Sequence, residues 1–289
     1  MRHEAAPPVT VVVPVYNGFP ALARCLQALE KHSARARVLL IDDASTDPRV
    51  APLLQQFSAR NHWELQQHRD NRGFVLTANT GLQQADGHVV LLNADAIVTP
   101  HWLSAVDQAI ANHPDLATAT PWSNNAEICS FPRFLAAQPV PVYRDELAES
   151  LYQYHTPEYP EIPTGVGFCL LITAEAQKHI GVLDEATFGH GYGEENDYCL
   201  RAQAAGMKNI LIDNAYVAHI GNQSFCDLNL KADEQSMQRL LRKHPHYRQM
   251  IAEYITADPL APLRCEIINT LKKQRPQLAA QLENVHDEH

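Results

Sequence analysis

The chain has 289 residues, 45% of them hydrophobic, and a formal net charge of −10. That length suits one large domain, or one domain with an appendage, and supplies enough apolar side chains for a sizeable core. The acidic balance excludes a general nucleic-acid binder, which needs a basic surface. It also obliges any phosphate ligand to be held by backbone amides, local Arg or Lys, or a metal ion.

Met1 to Pro8 is polar and lacks the apolar stretch of a signal peptide. Thr10–Val15 is a β-branched run that predicts a buried strand, and Leu22, Cys25, Leu26 and Leu29 give helical spacing from Phe19 to Lys31. A second buried strand at Val38–Ile41 ends in the polar turn Asp42–Asp47. A helix near Val50–Arg60, a strand near Trp63–Gln67, a helix over Phe74–Ala85 and a strand at His88–Leu92 follow, the last ending in Asn93-Ala94-Asp95. Strands alternating with helices predict an α/β fold on a parallel sheet. Ligands of such sheets bind beyond the strands' carboxyl ends, so Pro14–Asn17, Asp42-Asp43 and Asn93–Asp95 are expected to converge.

The second half is less regular. Pro121–Pro163 is rich in Pro and aromatic residues and predicts long loops around a short helix near Asp145–Tyr154. Gly167–Ile172 is a strand, Glu194–Ala205 a helix, and Asn209–Ile212 and Tyr216–Ala218 are strand pieces. Beyond Asp227 the pattern is helical, broken near Pro245 and Pro259–Pro262. Six cysteines (Cys25, Cys129, Cys169, Cys199, Cys226, Cys265) form no Cys-x-x-Cys pair and read as reduced thiols of a cytosolic protein. No apolar run reaches the roughly 20 residues of a membrane span.

The most telling stretch runs from Gly189 to Arg201. Gly189, Gly191 and Gly193 let the backbone approach something bulky, and Glu194, Glu195 and Asp197 follow at once. Adjacent like charges raise one another's pKa. That is costly in a structural loop but useful where a carboxylate must take a proton near neutral pH. Asp197 and Arg201 have the four-residue spacing of a helical ion pair and are assigned to holding the helix.

Taken in order, Val11–Asn17, Ile41–Asp47, Asn71–Phe74, Leu91–Asp95, Gly191–Arg201 and His219–Gly221 resemble glycosyltransferase family 2, whose members have the GT-A fold. The resemblance implies a mostly parallel Rossmann-like sheet over residues 1–226, nucleotide-binding over about 9–121 and acceptor-binding and catalytic over about 122–226, with a helical extension over 227–289. It implies transfer of a sugar, with inversion, from a nucleoside-diphosphate donor to a glycan or lipid-linked acceptor hydroxyl, with Mn²⁺ or Mg²⁺ as cofactor. By residue, Asp95 and His219 would hold the metal, Asn93 standing where the family has its first Asp. Pro14, Val15, Tyr16, Asn17, Asp42 or Asp43, Asn93, Ala94 and Arg72 would contact the donor nucleotide. Glu195 would be the base, with Glu194 the alternative, and Gly191, Tyr192 and Trp122 would lie on the acceptor side, Trp122 having a core position as its alternative.

Two other readings compete. A sugar nucleotidyltransferase would want a Gly-rich, cationic loop after the first strand, which Asn17–Pro20 does not supply. A non-catalytic binding or scaffold protein has no use for the acidic cluster. In the C-terminal region, Leu230, Met237, Leu240 and Leu241 lie near Arg239, Arg242, Lys243 and Arg248. Such a surface suits a peripheral membrane contact at the inner face of the cell membrane or a partner subunit, and a helix packed on the main domain is the simpler reading.

Overall fold

Seven strands in the order β3-β2-β1-β4-β7-β6-β8 form the central sheet of the computed structural model, which describes residues 8–189, 191–221 and 234–284. The strands are β1 (Val9–Val15), β2 (Arg37–Asp42), β3 (Glu64–Gln67), β4 (His88–Leu92), β6 (Leu116–Trp122), β7 (Cys169–Ile172) and β8 (Lys208–Tyr216). β1 runs parallel to β2 and β4, β2 to β3, and β6 to β8; β7 is antiparallel to both β4 and β6. The fold is therefore α/β on a mostly parallel sheet, as expected. A two-stranded ribbon pairs β5 (Ala96–Ile97) with β9 (Ala218–His219) antiparallel.

Helices cover the sheet. α1 (Phe19–His32), α2 (Val50–Asn61) and α3 (Phe74–Gln84) connect β1 through β4, and each buries the apolar residues that its spacing predicts. α1, for example, buries Leu22, Cys25, Leu26 and Leu29. α4 (Trp102–Asn112) and α5 (Arg144–Tyr154) follow, then α6 (Ala174–Ile180), α7 (Glu185–Phe188) and α8 (Glu194–Ala204). The chain ends in α9 (Glu234–Lys243), α10 (Tyr247–Ala257), α11 (Ala261–Gln274) and α12 (Pro276–Asn284). Leu260, Leu263, Ile267, Leu271, Leu278 and Leu282 of the last helices belong to the same core as Val11, Val13 and Leu92. No helix among the described residues is long and apolar enough to cross a membrane. Cys226, Leu230 and the expected boundary at residues 226–227 lie outside the described residues; Cys25, Cys129, Cys169 and Cys199 are buried free thiols and Cys265 is exposed.

The structure corrects two expectations. The loop region expected from Pro121 is in part strand: β6 runs to Trp122, and all seven of its residues are buried. The two pieces expected over 209–218 are one strand, β8, followed by the ribbon strand β9. The misleading residues are Asp213 and Asn214, polar in mid-strand yet buried. Asp213 is satisfied by His155 Nε2 at 2.7 Å and by the backbone N–H groups of Glu158 at 2.9 Å and Tyr159 at 3.1 Å. A buried carboxylate so bonded fixes the loop after α5 against the sheet. Asp213→Ala would strand these donors and is expected to cost about 3 kcal/mol of unfolding free energy, measured by urea denaturation.

Candidate active site

The strands β1, β2 and β4 are in parallel register, so their carboxyl ends open on one edge of the sheet. Val15 pairs with Asp42, which sets Tyr16 and Asn17 beside the Asp42–Asp47 turn. Asn17, at φ 55°, accepts the N–H groups of Thr46 at 2.8 Å and Asp47 at 2.9 Å, and its own N–H donates to Ser45 Oγ at 2.9 Å. Asp42 accepts from Ser45 N at 3.0 Å and Gln67 Nε2 at 3.1 Å. Asp43 is more heavily used: Oδ1 accepts Arg72 N at 2.9 Å and meets His68 Nδ1 at 2.8 Å, while Oδ2 accepts Gly73 N at 2.8 Å. Both carboxylates thus build the crevice wall, and Asp43 holds the turn that launches α3. His68 was not anticipated. The Arg72 side chain is exposed while its backbone is anchored.

Across that edge, the ribbon brings together residues distant in sequence. Ala96 pairs with His219, so Asp95 lies beside the imidazole, with Oδ1 3.4 Å from Nε2. Ile220 N donates to the Asp95 carbonyl at 3.0 Å, and Asn93 N to the Phe168 carbonyl at 2.9 Å. The Phe168 ring stacks on His219 with centroids 5.1 Å apart. His219 Nδ1 lies 2.8 Å from the Asn125 carbonyl, an acceptor, so Nδ1 carries the hydrogen and Nε2 faces Asp95. Burial lowers the His219 pKa, but the bond and charge of Asp95 and the Asn125 carbonyl outweigh it and leave it raised. A carbonyl fixing the tautomer behind an imidazole, with a carboxylate ahead, is a donor set that fits a divalent cation. Among the described residues no group of three His, Cys, Asp or Glu side chains could hold a metal ion. The remaining coordination positions would fall to phosphate oxygens and water, the usual habit of Mg²⁺.

The acidic cluster opens α8. Gly193 caps the helix at φ 98°, and a Cβ there would stand 3.1 Å from the Phe188 ring, so both the torsion and the close approach require glycine. Glu194 is buried and Glu195 half-buried. Burial, then the Glu195 charge, pushes Glu194 well up; Glu194 also donates a hydrogen bond to Glu195, which favours its protonated form. Burial pushes Glu195 up too, and Glu127 adds to this, while the N–H groups of Glu195 and Gly193 and the Glu194 carboxyl pull the other way. Burial outweighs the pull of the backbone N–H groups, so Glu195 is raised. Both carboxyls are raised, Glu194 the further of the two, which favours Glu194 as the holder of the pair's proton and Glu195 as its acceptor.

Gly167-Phe168 joins the two halves. A side chain on Gly167 would begin 3.8 Å from the Glu195 carboxyl carbon, while the next residue stacks on His219. The 3₁₀ turn Glu127–Cys129 runs alongside, with Asn125 on His219 and Glu127 facing Glu195. A Cβ on Gly191 would lie 3.8 Å from Phe74 and 4.0 Å from Glu194 Oε2, linking the cluster to the turn held by Asp43. Gly167-Phe168 therefore links the Glu195 carboxyl, beside Gly167, to the Asp95–His219 pair, beside Phe168. Asp197 forms its pair with Arg201 at 2.8 Å. Tyr192, at φ 69°, is half-buried, and His190 lies outside the described residues. Trp122 is a correction: it is wholly buried against Phe131, centroids 5.5 Å apart, so its ring faces cannot form an acceptor platform.

The sheet order, its one antiparallel strand and the ribbon-held Asp–His pair define the GT-A class of fold. A family model described as "Glycosyl transferase family 2" matches residues 10–179. The chain belongs to glycosyl transferase family 2. It is 35% identical over 118 residues to the uncharacterized protein y4gI of Sinorhizobium fredii (strain NBRC 101917 / NGR234), covering 39% of this chain and 13% of that protein. It is 27% identical over 120 residues to glycosyltransferase GlyA of Streptococcus pneumoniae serotype 4, covering 40% of this chain and 17% of that one. The chain thus spans less than a fifth of the length of these relatives. Among solved structures it is similar to GalNAc-T7 with UDP, GalNAc and Mn²⁺ (TM-score 0.62, 17% identity, 83% of this chain, 48% of that one). The mannosyltransferase PcManGT of Pyrobaculum calidifontis with GDP-Man and Mn²⁺ gives a TM-score of 0.57 at 16% identity, over 97% and 79% of the two chains. At such identities the likeness is one of fold.

Because the folded state holds the Glu194 proton more tightly than the unfolded chain, stability is fully present below the ordinary carboxyl value of 4.5 and falls as pH rises toward the raised one. Glu194→Gln mimics the protonated form. It is expected to leave stability unchanged at pH 4 and to raise it at pH 8, by about 1.4 kcal/mol per unit of removed shift, read from denaturation curves at both pH values.

Proposed function

We propose that the protein is an inverting glycosyltransferase that moves a sugar from a nucleoside-diphosphate donor to a hydroxyl of a glycan or lipid-linked glycan, as in bacterial surface polysaccharide or glycolipid synthesis. The observation that carries this reading is the meeting of the Asp95–His219 pair with Glu195 across Gly167-Phe168. Asp95 and His219 would hold a divalent cation, whose charge would offset that of the departing diphosphate. The Mn²⁺ in the GalNAc-T7 and PcManGT structures supports that choice of ion, and their UDP and GDP-Man support the donor class.

The chain's own residues supply the rest. The walls built by Asn17, Asp42 and Asp43 suit the nucleoside, with Tyr16 and the exposed Arg72 at the mouth. Glu195 takes the acceptor hydroxyl's proton as that oxygen attacks the anomeric carbon, and the sugar–phosphate bond breaks on the opposite side. Glu194, already protonated, donates to Glu195 and leaves it the group able to accept. The Gly191–Gly193 backbone closes against Phe74 and shields the donor from water.

Screening a panel of nucleotide sugars with Mn²⁺ for release of nucleoside diphosphate tests the activity; absence of turnover with every donor would argue for a binding protein. Glu195→Gln is expected to lower turnover by about 10²- to 10⁴-fold while nucleoside-diphosphate affinity, measured by calorimetry, changes little. Asp95→Ala is expected to remove the Mn²⁺ dependence of that affinity; an unchanged dependence would refute its assignment.

A further inference from the structure

α9, in the helical C-terminal region, is fastened to the turn that carries the candidate base. Asp197 follows Glu195 by two residues, and its side chain is 0% exposed. Its Oδ2 accepts from Arg201 Nε at 2.8 Å within the same helix. Its Oδ1 accepts from two groups of α9 and its end, Lys243 Nζ at 2.6 Å and His244 Nε2 at 2.8 Å. Lys243 also reaches Asp184 Oδ2 at 2.7 Å and lies over the Phe188 ring, 5.7 Å from its centroid. Phe188 and Leu240 pack on Gly193, the cap of α8.

Burial alone would push the Asp197 carboxyl up. The hydrogen bonds from Lys243, His244 and Arg201 reverse this and hold it below the ordinary range, so the buried group is ionised. An i,i+4 pair with Arg201 serves α8 by itself. Two further partners at the end of a separate helix, the Lys243 ammonium and the His244 imidazole, add something that helix stability does not need. They tie the first turn of α8, whose N–H groups bond the Glu195 carboxylate, to a second element. A reacting group displaced by about 1 Å loses much of its rate.

We propose that Lys243 and His244 are positioning residues for Glu195: by pinning Asp197 they fix the first turn of α8 and neutralise the third carboxylate of the cluster, so α9 belongs to the catalytic apparatus. This rests on Glu195 being the base. The charged and titratable groups around the pair are Glu194 and Asp197 on α8, Glu127 on the 3₁₀ turn, Tyr247 at the start of α10, and Cys199.

The test uses Lys243→Met, which keeps the stem over Phe188 and removes the charge, with Lys243→Arg as the conservative variant and His244→Ala as the second lesion should Lys243→Met fold poorly. Three quantities are read: the folded fraction by circular dichroism, the Mn²⁺-dependent affinity for UDP and GDP, and the pH titration of the Glu195 carboxyl by ¹³C NMR, identified by its loss in Glu195→Gln. In Lys243→Met the Glu195 titration should move to higher pH, because Asp197 is left less neutralised. Turnover should fall about ten-fold or more with nucleotide affinity kept within about two-fold, and Lys243→Arg should restore both. An unmoved titration, or a loss of turnover no larger than the loss of folded protein, would overturn the proposal. The titration needs no turnover, so a Glu195→Gln variant that still transfers sugar would sink the base reading separately from the clamp.

Discussion

Three carboxylates, Glu194, Glu195 and Asp197, leave bulk water on the first turn of one helix, and the site depends on how their charge is resolved. Left alone, they would repel one another and unravel the turn or all take protons. The structure gives each a different fate. Asp197 meets the cations Arg201 and Lys243 and the His244 imidazole, and keeps its charge. Glu194 is pushed well up by burial and by the Glu195 charge, which favours its protonated form. Glu195 is raised by burial, with Glu127 adding to it, against the pull of backbone N–H groups and the Glu194 carboxyl. Different fates for neighbouring acids are how one small region can hold both a proton donor and an acceptor at neutral pH.

That turn would be useless without the sheet. Parallel β1, β2 and β4 bring three polar strand ends to one edge, and β7, inserted antiparallel, delivers Gly167-Phe168 between Asp95 and Glu195. The β5–β9 ribbon then closes the gap between Asp95 and His219. A side chain on Gly167 would begin 3.8 Å from the Glu195 carboxyl carbon and project toward it.

Local pattern made much of this readable. Apolar runs and helical spacing placed β1 to β4 and α1 to α3, and polar residues after each strand marked the binding edge. β6 was hidden because Leu116–Trp122 sets its strand formers Thr118 and Thr120 among alanines and carries Pro121, which argues against a central strand. Asp213 and Asn214 broke up β8 because nothing local foretells that His155 and two backbone N–H groups will satisfy a buried carboxylate. Asn125, His68 and Lys243 escaped for the same reason: each acts through a contact made at long range in sequence. The order of the pKa values within the acidic cluster was also illegible, since it is set by burial and by Glu127, not by spacing. Trp122 shows the converse error, in which an aromatic residue beside a functional loop belongs to the core.

The acidic charge of the chain bears on how a diphosphate could be held at all. Asn93 removes one negative charge from the strand end that carries Asp95, and no third metal-binding side chain joins Asp95 and His219 among the described residues. A two-donor site in a chain of net charge −10 binds a cation only modestly without further anionic oxygens. A diphosphate, in turn, finds an acidic surface unwelcoming without the cation. On the proposed function each ligand would therefore be the missing part of the other's site, and linkage would make their affinities rise together. On the same proposal, the clamp from α9 would offset from behind the charge of Asp197, a carboxylate that serves as neither ligand nor base.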